Sequence, residues 1–84
     1  MNQTVIDNDR KYVLMVADQS ERNVFCYKGD KLLWQIEEPP KLHHRNCYTS
    51  IYLQGDSLYA YSQNGVEAVI DKNTGKILSS ELIK

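Results

Sequence analysis

Residues 51–70, IYLQGDSLYAYSQNGVEAVI, decide the fold class. This segment contains three short runs rich in β-branched and aromatic residues, which are typical of strands. The runs are separated by Gly55-Asp56 and Asn64-Gly65, and both dipeptides tolerate the positive φ of tight two-residue hairpin loops. The segment therefore predicts three consecutive antiparallel strands.

Runs of the same kind recur in both directions from this segment, at intervals of roughly eight to twelve residues. No window shows the sustained apolar repeat at three and four residues that an amphipathic helix requires. Longer turns are expected at Lys28-Gly29-Asp30 and at residues 72–75. The predicted strands cover residues 3–7, 11–17, 22–28, 31–37, 46–53, 57–63, 66–71 and 76–82.

The two halves of the chain resemble one another. Pro39 and Pro40 cannot donate to a strand ladder, and they predict a linker over residues 39–45. A gapless shift of 45 positions aligns five identical pairs: Thr4/Thr49, Ile6/Ile51, Val24/Val69, Lys31/Lys76 and Leu33/Leu78. A repeat of this length with four strands suits a propeller blade. We predict one domain over residues 1–84, composed of the repeats 1–38 and 46–84.

The second half also carries a recognisable motif. Residues 69–78, VIDKNTGKIL, resemble the core of a quinoprotein-type (PQQ-like) β-propeller repeat, which typically reads small-x-Asp-x-x-Thr-Gly-x-x-x-Trp. Residues 56–65 are similar to the hairpin that precedes this core. In the first half, residues 24–34 keep the tryptophan as Trp34 but have Cys26 in place of the aspartate.

The resemblance implies blade-like units rather than an activity. Gly29-Asp30 replaces Thr-Gly in the first copy, and Ser79 stands where the second copy would have its tryptophan. Propellers of this family close several blades around a channel that holds any quinone and metal, and two blades cannot enclose one. We therefore predict no cofactor. The expected architecture is all-β, with two four-stranded antiparallel meanders packed as a small sandwich or partial barrel.

The two predicted loops fix which side chains share a face. A loop at Gly55-Asp56 sets Tyr52 opposite Tyr59, and a loop at Asn64-Gly65 sets Tyr59 opposite Ile70. One predicted face carries Tyr48, Tyr52, Tyr59, Tyr61, Val66, Ala68 and Ile70; the other carries Cys47, Ile51, Leu53, Leu58, Ala60 and Val69. A sheet with two apolar faces needs cover on both sides, and each sheet has only one neighbour within the chain.

One face of each half should therefore stay available to a partner. We predict the tyrosine-rich face as the docking surface, because tyrosine is enriched where proteins meet. A compact barrel or sandwich that buries most of these side chains is the alternative. The predicted partner-binding residues are Tyr48, Tyr52, Tyr59 and Tyr61, together with the cationic loop residues His43, His44 and Arg45.

Composition narrows the possible classes of protein. The 84 residues contain 10 Lys and Arg against 11 Asp and Glu, a net charge of −1, so no general affinity for nucleic acid is expected. No apolar run approaches the length of a membrane span, and no secretory signal precedes the first strand. We expect a cytoplasmic protein whose Cys26 and Cys47 are reduced packing thiols.

Residues 41–47, KLHHRNC, are the one cluster that suggests site chemistry. His43, His44 and Cys47 are soft ligands, but zinc needs four ligands or three plus water, and paired Cys-x-x-Cys spacing is absent. A Cys47–His44 nucleophile lacks an evident third orienting group. No metal site and no enzyme activity are predicted.

The functional expectation follows from the exposed faces and from the absence of a catalytic set. We predict a small non-enzymatic binding protein that acts through protein–protein contact, of the inhibitor, immunity or adaptor type. One alternative is a self-assembling structural protein that forms a dimer or a ring of blades. Another is a metal-binding or small-ligand-binding protein that uses His43, His44 and Cys47.

Overall fold

Eight β-strands make up the regular structure of the protein. A computed structural model describes residues 2–15, 22–38, 47–62 and 65–82. The strands are β1 (Gln3–Asp7), β2 (Arg10–Leu14), β3 (Val24–Lys28), β4 (Lys31–Gln35), β5 (Tyr48–Gln54), β6 (Ser57–Ser62), β7 (Val66–Ile70) and β8 (Ile77–Leu82). All eight predicted strands are present, and the described ranges contain no helix.

The strands form two antiparallel meanders, β1-β2-β3-β4 and β5-β6-β7-β8. The predicted all-β class with two four-stranded sheets is confirmed, and neither sheet closes on itself among the described residues. One continuous hydrophobic cluster joins the two sheets, as in a small sandwich. The predicted linker 39–45 lies outside the described residues.

The hairpin β5–β6 has the predicted register. Leu53 pairs with Leu58 and Tyr52 with Tyr59, across the two-residue loop at Gly55-Asp56. Gly55 adopts a φ of 60°, a left-handed conformation that glycine reaches without a Cβ penalty. The hairpin therefore follows from its loop chemistry.

The hairpin β6–β7 differs from the prediction by one residue. Tyr59 pairs with Val69, not with Ile70, because a three-residue connection joins Ser62 to Val66. Gly65 closes it with a φ of 87°, and its N–H donates to the carbonyl of Ser62. A loop that ends in a left-handed glycine is the usual three-residue alternative to the two-residue turn.

This slip exchanges the faces of β7, since side chains alternate with period two. Val66, Ala68 and Ile70 lie on the buried side of the second sheet, and Val69 lies on the outer side. The prediction that Val66, Ala68 and Ile70 share the tyrosine-rich face, with Val69 on the opposite one, is therefore wrong. Its apolar side chains concentrate on the side that faces the first sheet.

The core fills the space between the sheets. Buried side chains of the first sheet and the residues next to it are Tyr12, Leu14, Val24, Cys26, Trp34 and Ile36; those of the second are Tyr48, Ile51, Leu58, Ala60, Ala68 and Ile70. The rings of Tyr12 and Trp34 lie 6.0 Å apart at an angle of 37°. The two sheets thus share one small core.

Polar contacts reinforce the joint between the sheets. The Trp34 indole Nε1 donates to the carbonyl of Lys72 at 2.8 Å. The Gln3 amide both donates to the carbonyl of Ile51 and accepts from its N–H. These bonds satisfy backbone groups of the second sheet at the sandwich interior.

The spacing of 45 residues holds for part of the structure only. The β2–β3 pair Val13↔Phe25 corresponds at that spacing to the β6–β7 pair Leu58↔Ile70. The first hairpin loop, Asn8-Asp9, instead corresponds to Gly55-Asp56, two residues away from that spacing. The halves share their topology, while the β1–β2 hairpin departs from the gapless alignment.

Candidate functional site

The outer side of the second sheet carries an aromatic surface. Tyr52, Tyr59, Tyr61, Glu67 and Val69 project there, on three neighbouring strands, and we call this set the tyrosine face. Tyr52 is 39% exposed, and the other members are half-buried. The strand period places them together because Tyr52 pairs with Tyr59 and Tyr61 pairs with Glu67.

Two of these tyrosines form a stacked pair. The rings of Tyr52 and Tyr59 lie 5.0 Å apart, only 5° from parallel. The Tyr52 hydroxyl donates a hydrogen bond to the Glu67 carboxylate. This bond and partial desolvation raise the pKa of Tyr52 from 10.0 to about 12. The ring is therefore held in place with its hydroxyl protonated.

Tyr48 does not belong to this surface, although it was predicted to share a face with Tyr52. A β-bulge between Tyr48 and Ser50 reverses the alternation, so Tyr48 is 3% exposed and lies in the core. Its backbone N–H and carbonyl bond to the side chain of the fully buried Asn23. Of the predicted binding tyrosines, Tyr52, Tyr59 and Tyr61 are brought together.

The predicted cationic loop residues His43, His44 and Arg45 lie outside the described residues. Both cysteines are free thiols, Cys26 buried and Cys47 half-buried. Burial raises the pKa of the Cys26 thiol, which disfavours the reactive thiolate. Within the described ranges, no three His, Cys, Asp or Glu side chains are grouped to hold a metal ion.

The outer side of the first sheet is a second exposed surface, whose residues the sequence reasoning left out of the site. Ile6, Val13, Phe25 and Leu32 project there, and we call this set the Ile6 face. Ile6 is 71% exposed and Leu32 is 49% exposed. The alternation of side chains along β1 and β2 was the available signal for Ile6 and Val13, because it places them on the side opposite the buried Tyr12.

One cation accompanies the Ile6 face. Lys11 pairs with Ile6 on one side and with Tyr27 on the other. Its ammonium lies 5.8 Å from the centroid of the Tyr27 ring, within the range of a cation–π contact. The Ile6 face is thus apolar with a positive charge, whereas the tyrosine face is aromatic with a negative one.

Comparison with known proteins places the chain in a family. A family model described as Domain of unknown function (DUF7957) matches residues 5–82. The chain belongs to this family. The matched range includes strands of both sheets and both outer faces.

No curated protein matches the chain significantly. In the described part of the chain, no helix has the length and apolar character needed to cross a membrane.

Proposed function

We propose that this member of the DUF7957 family is a non-catalytic protein-binding module that acts through its tyrosine face. The observation that carries the proposal is the stacked pair of Tyr52 and Tyr59, fixed by the bond from Tyr52 to Glu67. The pair lies on the side of the sheet that faces away from the shared core.

The arrangement supports binding for an energetic reason. Ordering a flexible side chain at an interface costs about 0.5–1.5 kcal/mol, which reduces affinity. Tyr52 and Tyr59 are already ordered by stacking, and Tyr52 also by its hydrogen bond. A partner therefore gains aromatic contact area at a low entropic cost, and tyrosine is among the residues that dominate binding energy at interfaces.

The inhibitor, immunity or adaptor role is part of the same proposal, as is a cytoplasmic location. The resemblance to propeller repeats also stays a proposal. It is supported by the four-stranded meander of each half and by the contact of Trp34 with the turn at residues 72–75. Metal or ligand binding through His43, His44 and Cys47 stays a prediction, since only Cys47 is described.

The proposal is tested with the double variant Tyr52→Ala/Tyr59→Ala. We expect it to lose at least tenfold in affinity for the native partner, identified by quantitative cross-linking in the host, while its circular dichroism spectrum is retained. The matched control is Tyr52→Phe/Tyr59→Phe, which keeps both rings and should keep most of the affinity. Unchanged capture of the same partner by the folded alanine variant would reject the proposal.

A further inference from the structure

The Ile6 face and the tyrosine face are related to each other through the internal repeat. The cross-strand pair Val13↔Phe25 lies on the outer side of the first sheet. At the spacing of 45 residues it corresponds to Leu58↔Ile70, which are 0% and 1% exposed in the core. The outer side of the first sheet is thus the counterpart of the core side of the second.

The adjacent cross-strand pair shows the reverse relation. Leu14↔Val24 lies in the core, with both side chains 0% exposed. At the same spacing it corresponds to Tyr59↔Val69, which lies on the tyrosine face. The tyrosine face is thus the counterpart of the core side of the first sheet.

The hairpins β2–β3 and β6–β7 therefore stack so that their corresponding faces point in the same direction. Such a stack is head-to-tail, and it leaves two different free faces, one at each end. Within the chain, the core side of the first sheet is covered by the core side of the second. The tyrosine face is the counterpart of the core side of the first sheet, and the Ile6 face is the counterpart of the core side of the second. The two free faces should therefore fit each other as the two core sides do.

We propose that the tyrosine face of one molecule binds the Ile6 face of a second copy of this chain, which repeats between molecules the packing found within one. Charge supports this pairing over contact between two identical faces. Glu67 lies on the tyrosine face and Lys11 accompanies the Ile6 face, so the mixed pairing joins opposite charges. The proposal names the partner of the proposed binding surface and rests on it.

The size of the faces sets the concentration range in which association should appear. The Ile6 face spans four short strands and the tyrosine face spans three. Strands of about five residues are roughly 16 Å long and about 4.8 Å apart. Such a face covers roughly 230–310 Å², below the roughly 800 Å² per partner of a standard specific interface, so a weak contact is expected. Association is therefore sought by light scattering between about 10 μM and 1 mM protein, a range that covers weak contacts.

Two single-face variants and one control test the proposal. Ile6→Glu alters only the Ile6 face, and Tyr52→Ala/Tyr59→Ala alters only the tyrosine face. Leu82→Glu is the control, because Leu82 is 58% exposed but pairs with the buried Val66 on the other side of the second sheet. We expect the wild type and Leu82→Glu to associate and each single-face variant to be monomeric.

Mixing the two single-face variants gives the decisive measurement. Each retains the face that the other lacks, so an equimolar mixture should form a one-to-one heterodimer that cannot grow further. If circular dichroism shows that the double alanine variant does not fold, Glu67→Lys takes its place, because it alters the tyrosine face without removing a ring.

Three outcomes would overturn the proposal. A wild type that stays monomeric up to 1 mM rejects binding to a second copy, although the loss of a cross-linked host partner by the alanine variant would still support the proposed function. Association of the Ile6→Glu variant alone indicates contact between two tyrosine faces. Association of the tyrosine-face variant alone indicates contact between two Ile6 faces.

Discussion

The two sheets contribute different chemical groups to their joint. From the first sheet and the residues flanking it, the side chains of Gln3, Arg10, Asn23, Trp34 and Glu37 reach across. The partners of these side chains in the second sheet and its turns are mainly backbone groups, namely those of Ile51, Lys72, Tyr48 and Ile77.

The packing has the same asymmetry. The first sheet fills the core with large side chains such as Tyr12 and Trp34, whereas the middle of the second sheet offers Ala60 and Ala68. The hydrogen bonds across the joint therefore depend on side-chain identity in the first sheet and on backbone position in the second. Removing a side chain that bonds across the joint should therefore be costly in the first sheet, whereas in the second sheet the glycine that fixes the bonded backbone should be sensitive.

The largest effect is expected at Trp34. Trp34→Ala removes the buried ring and its bond to Lys72, and we expect a loss of about 3–5 kcal/mol in the free energy of unfolding. Urea denaturation followed by circular dichroism measures it. Trp34→Phe serves as the control, since it keeps an aromatic ring and should lose clearly less. A loss below about 1.5 kcal/mol for Trp34→Ala would contradict the asymmetry.

Gly75 should be more sensitive to substitution than Gly55. Its φ is 79°, and a Cβ there would lie 2.6 Å from Cε3 of Trp34. Gly55 has a φ of 60° with nothing within 4 Å of such a Cβ, so Gly55→Ala is the matched control. We expect a loss of about 1–2 kcal/mol for Gly55→Ala from the left-handed backbone alone and a clearly larger loss for Gly75→Ala, by the same urea measurement. Equal losses would show that the Trp34 contact is unimportant.

Asn23, the residue before β3, is expected to stabilise the joint between the sheets through its buried side-chain amide. Asn23→Ala leaves the N–H and carbonyl of Tyr48 without this partner, and we expect a loss of about 1–3 kcal/mol. Hydrogen exchange of the Tyr48 amide should accelerate in parallel. Gln3→Ala, at a half-buried amide that bonds Ile51 in the same two-way manner, should cost less. The reverse order would contradict the role of burial.

At Lys72, the backbone carbonyl rather than the side chain should stabilise the joint. Trp34 and Arg10 both bind its backbone carbonyl, which Lys72→Ala retains. Only the 3.0 Å ion pair with Asp7 is lost, and the two side chains are 23% and 30% exposed. We expect only a small change in the free energy of unfolding, far below that of Trp34→Ala, since an ion pair that solvent still reaches contributes little. A loss comparable with that of Trp34→Ala would mean that the side chain, not the backbone, holds the joint.

The tyrosine face lies outside the joint between the sheets. Loss of its hydrogen bond from Tyr52 to Glu67 should become visible only at high pH. The pKa of Tyr52 is raised to about 12 in the folded protein, above its ordinary value of 10.0. The bond to Glu67 therefore contributes stability below pH 10, and this contribution is lost as the pH rises through about 12. Ultraviolet titration of phenolate should show a late tyrosine that is lost in Tyr52→Phe, whereas the buried Tyr12, whose pKa is also raised by desolvation, should titrate late in both proteins. Ordinary titration of Tyr52 would contradict the Tyr52–Glu67 bond.

Local sequence patterns predicted most of the fold. The strand runs and Gly55-Asp56 act within a few residues, and both were predicted correctly. Asn64-Gly65 misled because the same dipeptide serves a two-residue and a three-residue loop, and one residue decides the face of β7. The bulge beside Tyr48 was not predicted, because no sequence pattern within β5 marks it.

The candidate surface was only partly predictable. Tyr52, Tyr59 and Tyr61 follow from strand alternation, which is a local property. The bond from Tyr52 to Glu67 joins residues on strands that do not pair directly, and it depended on the β7 register that was predicted wrongly. Contacts between the sheets, such as that of Trp34 with the turn at residues 72–75, depend on how two separate halves dock.

The position of Trp34 also makes the chain its own spectroscopic reporter. The sequence has one tryptophan, so every change in indole emission arises at this residue. Its ring lies against Gly75 of the opposite half, at the boundary between the two sheets. Emission therefore follows the docking of the halves, while far-ultraviolet circular dichroism follows the formation of strands. Comparing the two signals during unfolding would show whether either half can exist as a formed sheet without the other.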